Sequence, residues 1–163
     1  MANDGSLASL TEEWIATQIR ALEEFADDDV EVFTGSQSLT AEQLIEQFMS
    51  HRSLWATTWY SGDREIELEE GDLAYDATYA VLIVVQNARP GEARKGGADG
   101  SKGTNYFRDK LRMALNSGTT SPGLAANGYA VDWTKWTGKV DVVQQKNAYI
   151  MRGTVVVRES PTG

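Results

Sequence analysis

The side chains best suited to chemistry in this sequence are carboxylates, and they occur in two clusters. Residues 27–29 are three consecutive aspartates. Consecutive side chains fan outward, so they do not converge on one cation, and the run lacks the alternating ligands and glycine of a calcium loop. Glu65, Glu67 and Glu69 alternate, so in a strand they share one face and could hold a hard cation loosely. A solvated acidic strand face is the better interpretation, and we predict no metal site.

Other catalytic or cofactor-binding patterns are equally scarce. His51 is the only histidine and directly follows a predicted helix end, where a structural or solvated role is favoured over that of a general base. The chain has no cysteine and no Gly-x-Ser-x-Gly elbow, so nothing marks a nucleophile. The glycine-rich segment 97–104 resembles a phosphate loop superficially, but it lacks the Gly-Lys-Ser/Thr ending that contacts phosphate and metal. We therefore predict a protein that is not an enzyme, without catalytic residues or cofactors.

Aromatic side chains stand in or beside the predicted strands. Stacking platforms for single-stranded nucleic acid combine such aromatics with a basic groove. Here the aromatics lie near acidic neighbours or in a hairpin that should be half buried, which favours packing in a core or interface. The residues concerned are Trp55, Trp59, Tyr60, Trp133 and Trp136.

The charge of the chain is unevenly distributed along its 163 residues. The net charge of -9 argues against a nonspecific nucleic-acid coat. However, residues 1–80 carry 18 acidic and three basic side chains, whereas residues 81–163 carry six acidic and twelve basic ones. Such asymmetry is a hint about partners, the alternative being chance clustering on solvated faces. If the fold separates these charges, it provides two unlike surfaces for association.

Length and hydropathy indicate one domain spanning residues 1–163. The longest apolar run, residues 79–85, is too short to cross a bilayer, and the first residues show neither the basic region nor the apolar core of a signal peptide. These features lead us to expect a soluble, cytoplasmic protein with no membrane partner.

Hydrophobic periodicity places the elements that must position these side chains. Helices are predicted from Thr11 as N-cap to about residue 26, over 40–50 with a capping box, and over 104–116. Strands are predicted over 30–33, over 54–60 with a stop at 61–63, over 65–69, and over 75–86 as a central strand covered by helices. A final hairpin is predicted from strands 136–145 and 148–158 around a turn at 146–147.

The remaining segments are predicted to be irregular. They are a flexible N-terminal tail over 1–9, a long basic loop over 88–103, a loop over 119–128 and a C-terminal tail over 159–163. Loops as long as 88–103 are usually functional or disordered. The predicted fold is α+β, with a mostly antiparallel sheet of four to six strands, about three helices packed on it and a C-terminal β-hairpin.

The order of these elements resembles a known family. The strand 79–87, Tyr-Ala-Val-Leu-Ile-Val-Val-Gln-Asn, precedes an Arg/Gly-rich loop, the helix 106–115, Tyr-Phe-Arg-Asp-Lys-Leu-Arg-Met-Ala-Leu, a variable loop and a hairpin. This arrangement resembles the small tail proteins of Mu-like phages and prophages, which are similar to tail terminator (tail completion) proteins. The resemblance covers residues 11–158 and rests on the order of the elements and their residue composition.

The resemblance implies a structural virion protein that forms a homo-oligomeric ring, usually hexameric, at the head-proximal end of the tail. Such a ring, assembled in the host cytoplasm, caps the tail tube and offers a docking face to neck or head-completion proteins. DNA would pass through its lumen without specific binding. In this chain we expect Arg94, Lys95 and Lys102 of the 88–103 loop to contact a neighbouring subunit or the tail tube protein. The alternatives are a disordered surface loop, or a small nucleic-acid-binding module that uses the basic 89–112 segment.

Overall fold

A computed structural model describes residues 4–33, 43, 54–69, 71–86, 90–118, 121–137, 141–145 and 148–162. The predicted helix over 40–50 (Gln43 excepted), His51 and the predicted turn at 146–147 lie outside these residues. Within the described ranges, helices and strands combine in one sheet-based unit, which confirms the predicted α+β fold.

The element bounds are as follows. The helices are α1 (Leu7–Arg20), α2 (Pro90–Lys95) and α3 (Thr104–Ala114), and a 3-10 turn covers Asp27–Asp29. The strands are β1 (Val30–Val32), β2 (Leu54–Glu67), β3 (Leu73–Gln86), β4 (Ala125–Ala126), β5 (Tyr129–Trp136), β6 (Asp141–Gln145) and β7 (Ala148–Pro161).

The sheet is mostly antiparallel, as predicted. Six strands follow the order β1-β2-β3-β7-β5-β4, and β6 pairs with β7 beside β5. Only the β1–β2 pair is parallel among the described strands. Strand β3 is bonded along its length to β2 and β7, and residues 81–85 are all buried. This confirms the central strand that the apolar run predicted.

The helices cover one face of the sheet. Ile15 and Ile19 of α1, with Phe107 and Leu111 of α3, belong to one buried cluster with Tyr79 on β3. The opposite face carries a second buried cluster around Trp55, Leu82, Val84 and Ile150. Trp55 and Trp136 are buried, which confirms the predicted packing role of these two aromatics.

Helix α1 begins earlier than predicted. Its N-cap is Ser6, whose Oγ accepts a hydrogen bond from the Ser9 backbone N–H at 3.1 Å. Thr11, the predicted N-cap, lies inside the helix, fully buried, and its hydroxyl donates to the Leu7 carbonyl at 2.7 Å. Serine caps a helix as well as threonine does, and the burial of Leu7 favours the earlier start. The last three residues of the expected 1–9 tail are therefore helical.

The predicted stop at 61–63 is wrong. Strand β2 continues through it by a β-bulge between Tyr60 and Gly62, and Gly62 has a φ of +138°, which side-chain-bearing residues rarely adopt. The glycine that suggested a turn is thus the residue that lets the strand bend and continue to Glu67.

Two predictions for the second half of the chain also need correction. The 88–103 segment, expected to be entirely irregular, contains α2, which is anchored by the fully buried Ala93. Instead of one strand over 136–145, β5 ends at Trp136 and β6 begins at Asp141, and the two pair with different parts of β7. Strand β7 extends to Pro161, paired with Tyr129, so most of the expected 159–163 tail belongs to the sheet.

Candidate interaction surfaces

The distal half of the β2–β3 hairpin is an acidic surface. We call residues 61–69 and 71–75 the acidic hairpin. Its exposed carboxylates alternate with half-buried Ile66 and Leu68, as expected for a solvated strand face. A turn closes the hairpin, with the Leu68 backbone N–H donating to the Asp72 carbonyl at 2.8 Å. The exposed acidic residues are Asp63, Glu65, Glu67, Glu69 and Asp72.

The predicted interface residues Arg94, Lys95 and Lys102 lie on a second, basic surface. We call residues 94–103 the basic turn. Arg94 and Lys95 end α2, and all three side chains are exposed. The chain then folds back: a Cβ at Gly103 would overlap the Arg94 carbonyl group, so only glycine allows this approach. The structure therefore brings Lys102 back beside the end of α2.

Lys102 also contacts α3. Its ammonium group lies 4.9 Å from the centre of the Tyr106 ring, and that of Lys110 lies 5.4 Å from it. The Tyr106 hydroxyl donates a hydrogen bond to Glu24, and this bond raises the pKa of Tyr106 to about 12. Tyr106 thus connects Lys102 of the basic turn to Glu24, which follows α1, while Arg94 and Lys95 remain exposed.

Strand β3 separates the acidic hairpin from the basic turn. It runs for 14 residues from Leu73, at the hairpin end, to Gln86, and α2 begins at Pro90. A strand of this length spans roughly 40 Å. The charge asymmetry of the sequence is therefore partly preserved in space, although Glu24 remains next to the basic side chains around Tyr106.

A row of charged and aromatic side chains crosses four strands at the base of the acidic hairpin. Arg64, Asp76, Arg158 and Trp133 occupy paired positions on β2, β3, β7 and β5. Arg158 donates from Nε to Asp76 Oδ1 at 2.5 Å, and its guanidinium carbon lies 5.0 Å from the centre of the Trp133 ring. Arg64 Nη2 lies 3.7 Å from Asp76 Oδ2. Cross-strand pairs of this kind hold the hairpin base in register.

A cavity of about 320 Å³ lies beside the hairpin base and holds a perturbed carboxyl group. Burial, followed by the charge of Asp63, raises the pKa of Glu159 to about 7. The rings of Tyr75 and Tyr129 meet edge to face at 5.8 Å in its wall. Carboxylates and aromatic rings together suit a cationic side chain. The lining residues are Leu7, Asp63, Tyr75, Ala126, Asn127, Tyr129 and Glu159.

Sequence reasoning missed this cavity because it assigned Glu159 to a tail and 119–128 to a loop. A signal was present in the dipeptide Asn127-Gly128, which joins β4 to β5 with positive φ angles of 54° and 86°. Asn-Gly between alternating residues is a strong indication of a two-residue hairpin turn. That turn places Tyr129 opposite Pro161 and so brings β5 beside the end of β7.

The described residues contain no group of three or more histidine, cysteine, aspartate or glutamate side chains arranged to hold a metal ion.

Among the helices of the described segments, none has the length and apolar character needed to cross a bilayer.

Comparison with known proteins shows a similarity of fold to a solved structure. No protein-family model matches the chain, and no curated protein matches its sequence. Among solved structures, it is similar to a chain in the virion of a native gene transfer agent particle, with 9% sequence identity and a TM-score of 0.52. The match covers 95% of this chain and 99% of that one. At this identity the likeness concerns the fold, and it extends over nearly the whole of both chains.

Proposed function

We propose that this chain is a structural, non-enzymatic virion protein, a tail terminator or tail completion protein that acts as a homo-oligomeric ring. The observation that carries the proposal is the fold shared, over nearly its full length, with a chain of a gene transfer agent virion. The element order that resembles small phage tail proteins supports the same class. The expected location is the head-proximal end of the tail.

The mechanism of such a ring is steric. One face binds the last ring of the tail tube and ends polymerisation, and the other face is left for neck proteins, while DNA passes through the lumen. A head-to-tail ring requires two different and complementary surfaces on each subunit. The acidic hairpin and the basic turn are two such surfaces, and Arg94, Lys95 and Lys102 are the proposed contact residues of the second.

Neutralising the basic turn tests this role. Deleting the segment would remove α2 with its buried Ala93, so substitution is cleaner. The triple variant R94A/K95A/K102A should keep its fold but assemble or cap tail tubes less well than the wild type. The control R108A/R112A removes two exposed charges from α3 and should behave like the wild type. Unchanged assembly and capping by the triple variant would count against the proposed contact.

A nucleic-acid-binding module that uses the basic 89–112 segment is the second candidate function. The exposed Arg108 and Arg112 on α3, next to the basic turn, favour it. The Tyr106 ring on the same helix is already occupied by two lysine ammonium groups, and its hydroxyl is bonded to Glu24. Retention on immobilised DNA that decreases with salt would support this function. A discrete oligomer without DNA affinity would favour the ring.

A further inference from the structure

We infer that the acidic hairpin of one copy docks on the basic turn of the next copy. This inference rests on the proposed ring and names the two surfaces that meet in its head-to-tail contact.

The acidic hairpin is available for a partner. Among the described residues, the β2 segment 61–67 pairs with β3 on one side, and none of them pairs with its other edge. Within the hairpin's described residues five carboxylates stand against a single basic side chain, Arg64, which lies 3.7 Å from Asp76 at the hairpin base. The surface therefore presents a net negative charge along a strand edge that no described strand covers.

The basic turn lies on another part of the molecule than the acidic hairpin. The hairpin lies at the start of β3, whose 14 residues span roughly 40 Å, and α2 begins beyond the other end of that strand. Arg94 and Lys95 point outward from the end of a short helix whose buried side is anchored by Ala93. Each copy thus carries both halves of a charge-complementary contact, on separate surfaces.

A second copy is the occupant that matches both surfaces at once. A contact between two different patches of identical chains is heterologous, and it produces a closed ring when its rotation closes. The cavity with Glu159, Asp63 and two tyrosine rings lies at the base of the hairpin, where an arriving cationic side chain would find further carboxylates. DNA would neutralise the basic turn but leave the acidic hairpin without a partner.

Charge reversal followed by mixing tests the pairing. One variant, E65K/E67K/E69K, reverses the net charge of the hairpin, and another, R94E/K95E, reverses that of the basic turn. Each variant alone should self-associate at least tenfold more weakly than the wild type in sedimentation velocity. An equimolar mixture should recover the oligomer, because the unchanged hairpin of one variant meets the unchanged turn of the other, and the two reversed surfaces also attract. The control D27K/D28K reverses two exposed carboxylates away from the hairpin and should assemble normally.

The outcomes separate this inference from the proposed function. Circular dichroism verifies that each variant is folded, and the charge-neutral pair E65Q/E67Q replaces a reversal that fails to fold. If the reversed variants still form the wild-type oligomer, or if they lose it and mixing does not restore it, the pairing is overturned while the ring itself stands. If the wild-type chain never associates, with or without tail tubes, the proposed function fails as well.

Discussion

The half-buried carboxyl of Glu159 leads us to predict a specific pH dependence of the protein's stability. Its pKa is raised from 4.5 to about 7, first by burial and then by Asp63. An acid whose pKa is raised in the folded state binds its proton more tightly there than in the unfolded chain. Folding is therefore penalised as the pH rises from about 4.5 to 7, and the penalty is complete above pH 7. Removing the charge with Glu159→Gln should stabilise the protein at high pH.

The size of the effect follows from the pKa. A rise from 4.5 to about 7 corresponds to roughly 3 kcal/mol at pH 8. The carboxyl is only half-buried, and water screens part of this penalty, so we expect E159Q to raise the free energy of unfolding by about 1–2 kcal/mol at pH 8. The gain should shrink towards pH 5. The ionisable groups that line the cavity with Glu159 are Asp63 from β2, Tyr75 from β3 and Tyr129 from β5.

Urea unfolding of wild type and variant at pH 5, 6, 7 and 8 measures this effect. The control Glu65→Gln removes an exposed carboxylate of the acidic hairpin and should change the free energy of unfolding by less than about 0.5 kcal/mol at each pH. A variant E159Q that is equally stabilised at pH 5 and 8, or destabilised at pH 8, would refute the reasoning. An NMR titration of the Glu159 carboxyl would report its pKa directly.

Further predictions concern the sheet. Gly153→Ala places a Cβ inside the indole of Trp136, so we expect thermal unfolding to show that the free energy of unfolding falls by about 3 kcal/mol. A decrease of less than about 1 kcal/mol would contradict this packing. Gly91→Ala, where a Cβ meets nothing within 4 Å, is the matched control and should be neutral or slightly stabilising. Asp76→Asn removes the carboxylate that Arg158 binds, so chemical unfolding should show that the free energy of unfolding falls by about 1–2 kcal/mol. An unchanged denaturant midpoint would show that the pair does not stabilise the hairpin base.

Sequence periodicity predicted those helices and strands in which buried residues recur at a regular spacing along the element. Phe107, Leu111 and Leu115 recur at helical spacing, and all three are buried on α3 or at its end. The apolar run 81–85 predicted the central strand because both faces of β3 are covered there. In these segments the hydrophobic pattern within one element is sufficient to predict its secondary structure, and tertiary contacts agree with that pattern.

The rest depends on contacts between distant residues. Ser6 and Thr11 are both good N-caps, and only the packing of Leu7 against the sheet decides between them. Likewise, Gly62 indicates a turn from its residue type alone, whereas the pairing of the following residues with β3 makes it a bulge. The pKa of Glu159 is set by burial in a cavity whose wall comes from α1, β2, β3 and the β4–β5 hairpin.

For the residues predicted to form the interface, charge alone was enough to predict a position on the surface. Arg94, Lys95 and Lys102 are exposed, and their proximity could not be foreseen, because it depends on the backbone contact between Gly103 and Arg94. Their role in assembly stays a prediction.

Light scattering of the purified chain, before and after mixing with purified tail tubes, tests the central claim most directly. A ring predicts a discrete oligomer in at least one of the two conditions, with a mass near six times the 17.9 kDa of the chain for a hexamer, and tubes that carry the protein at one end. A chain that remains monomeric in both conditions would contradict the claim.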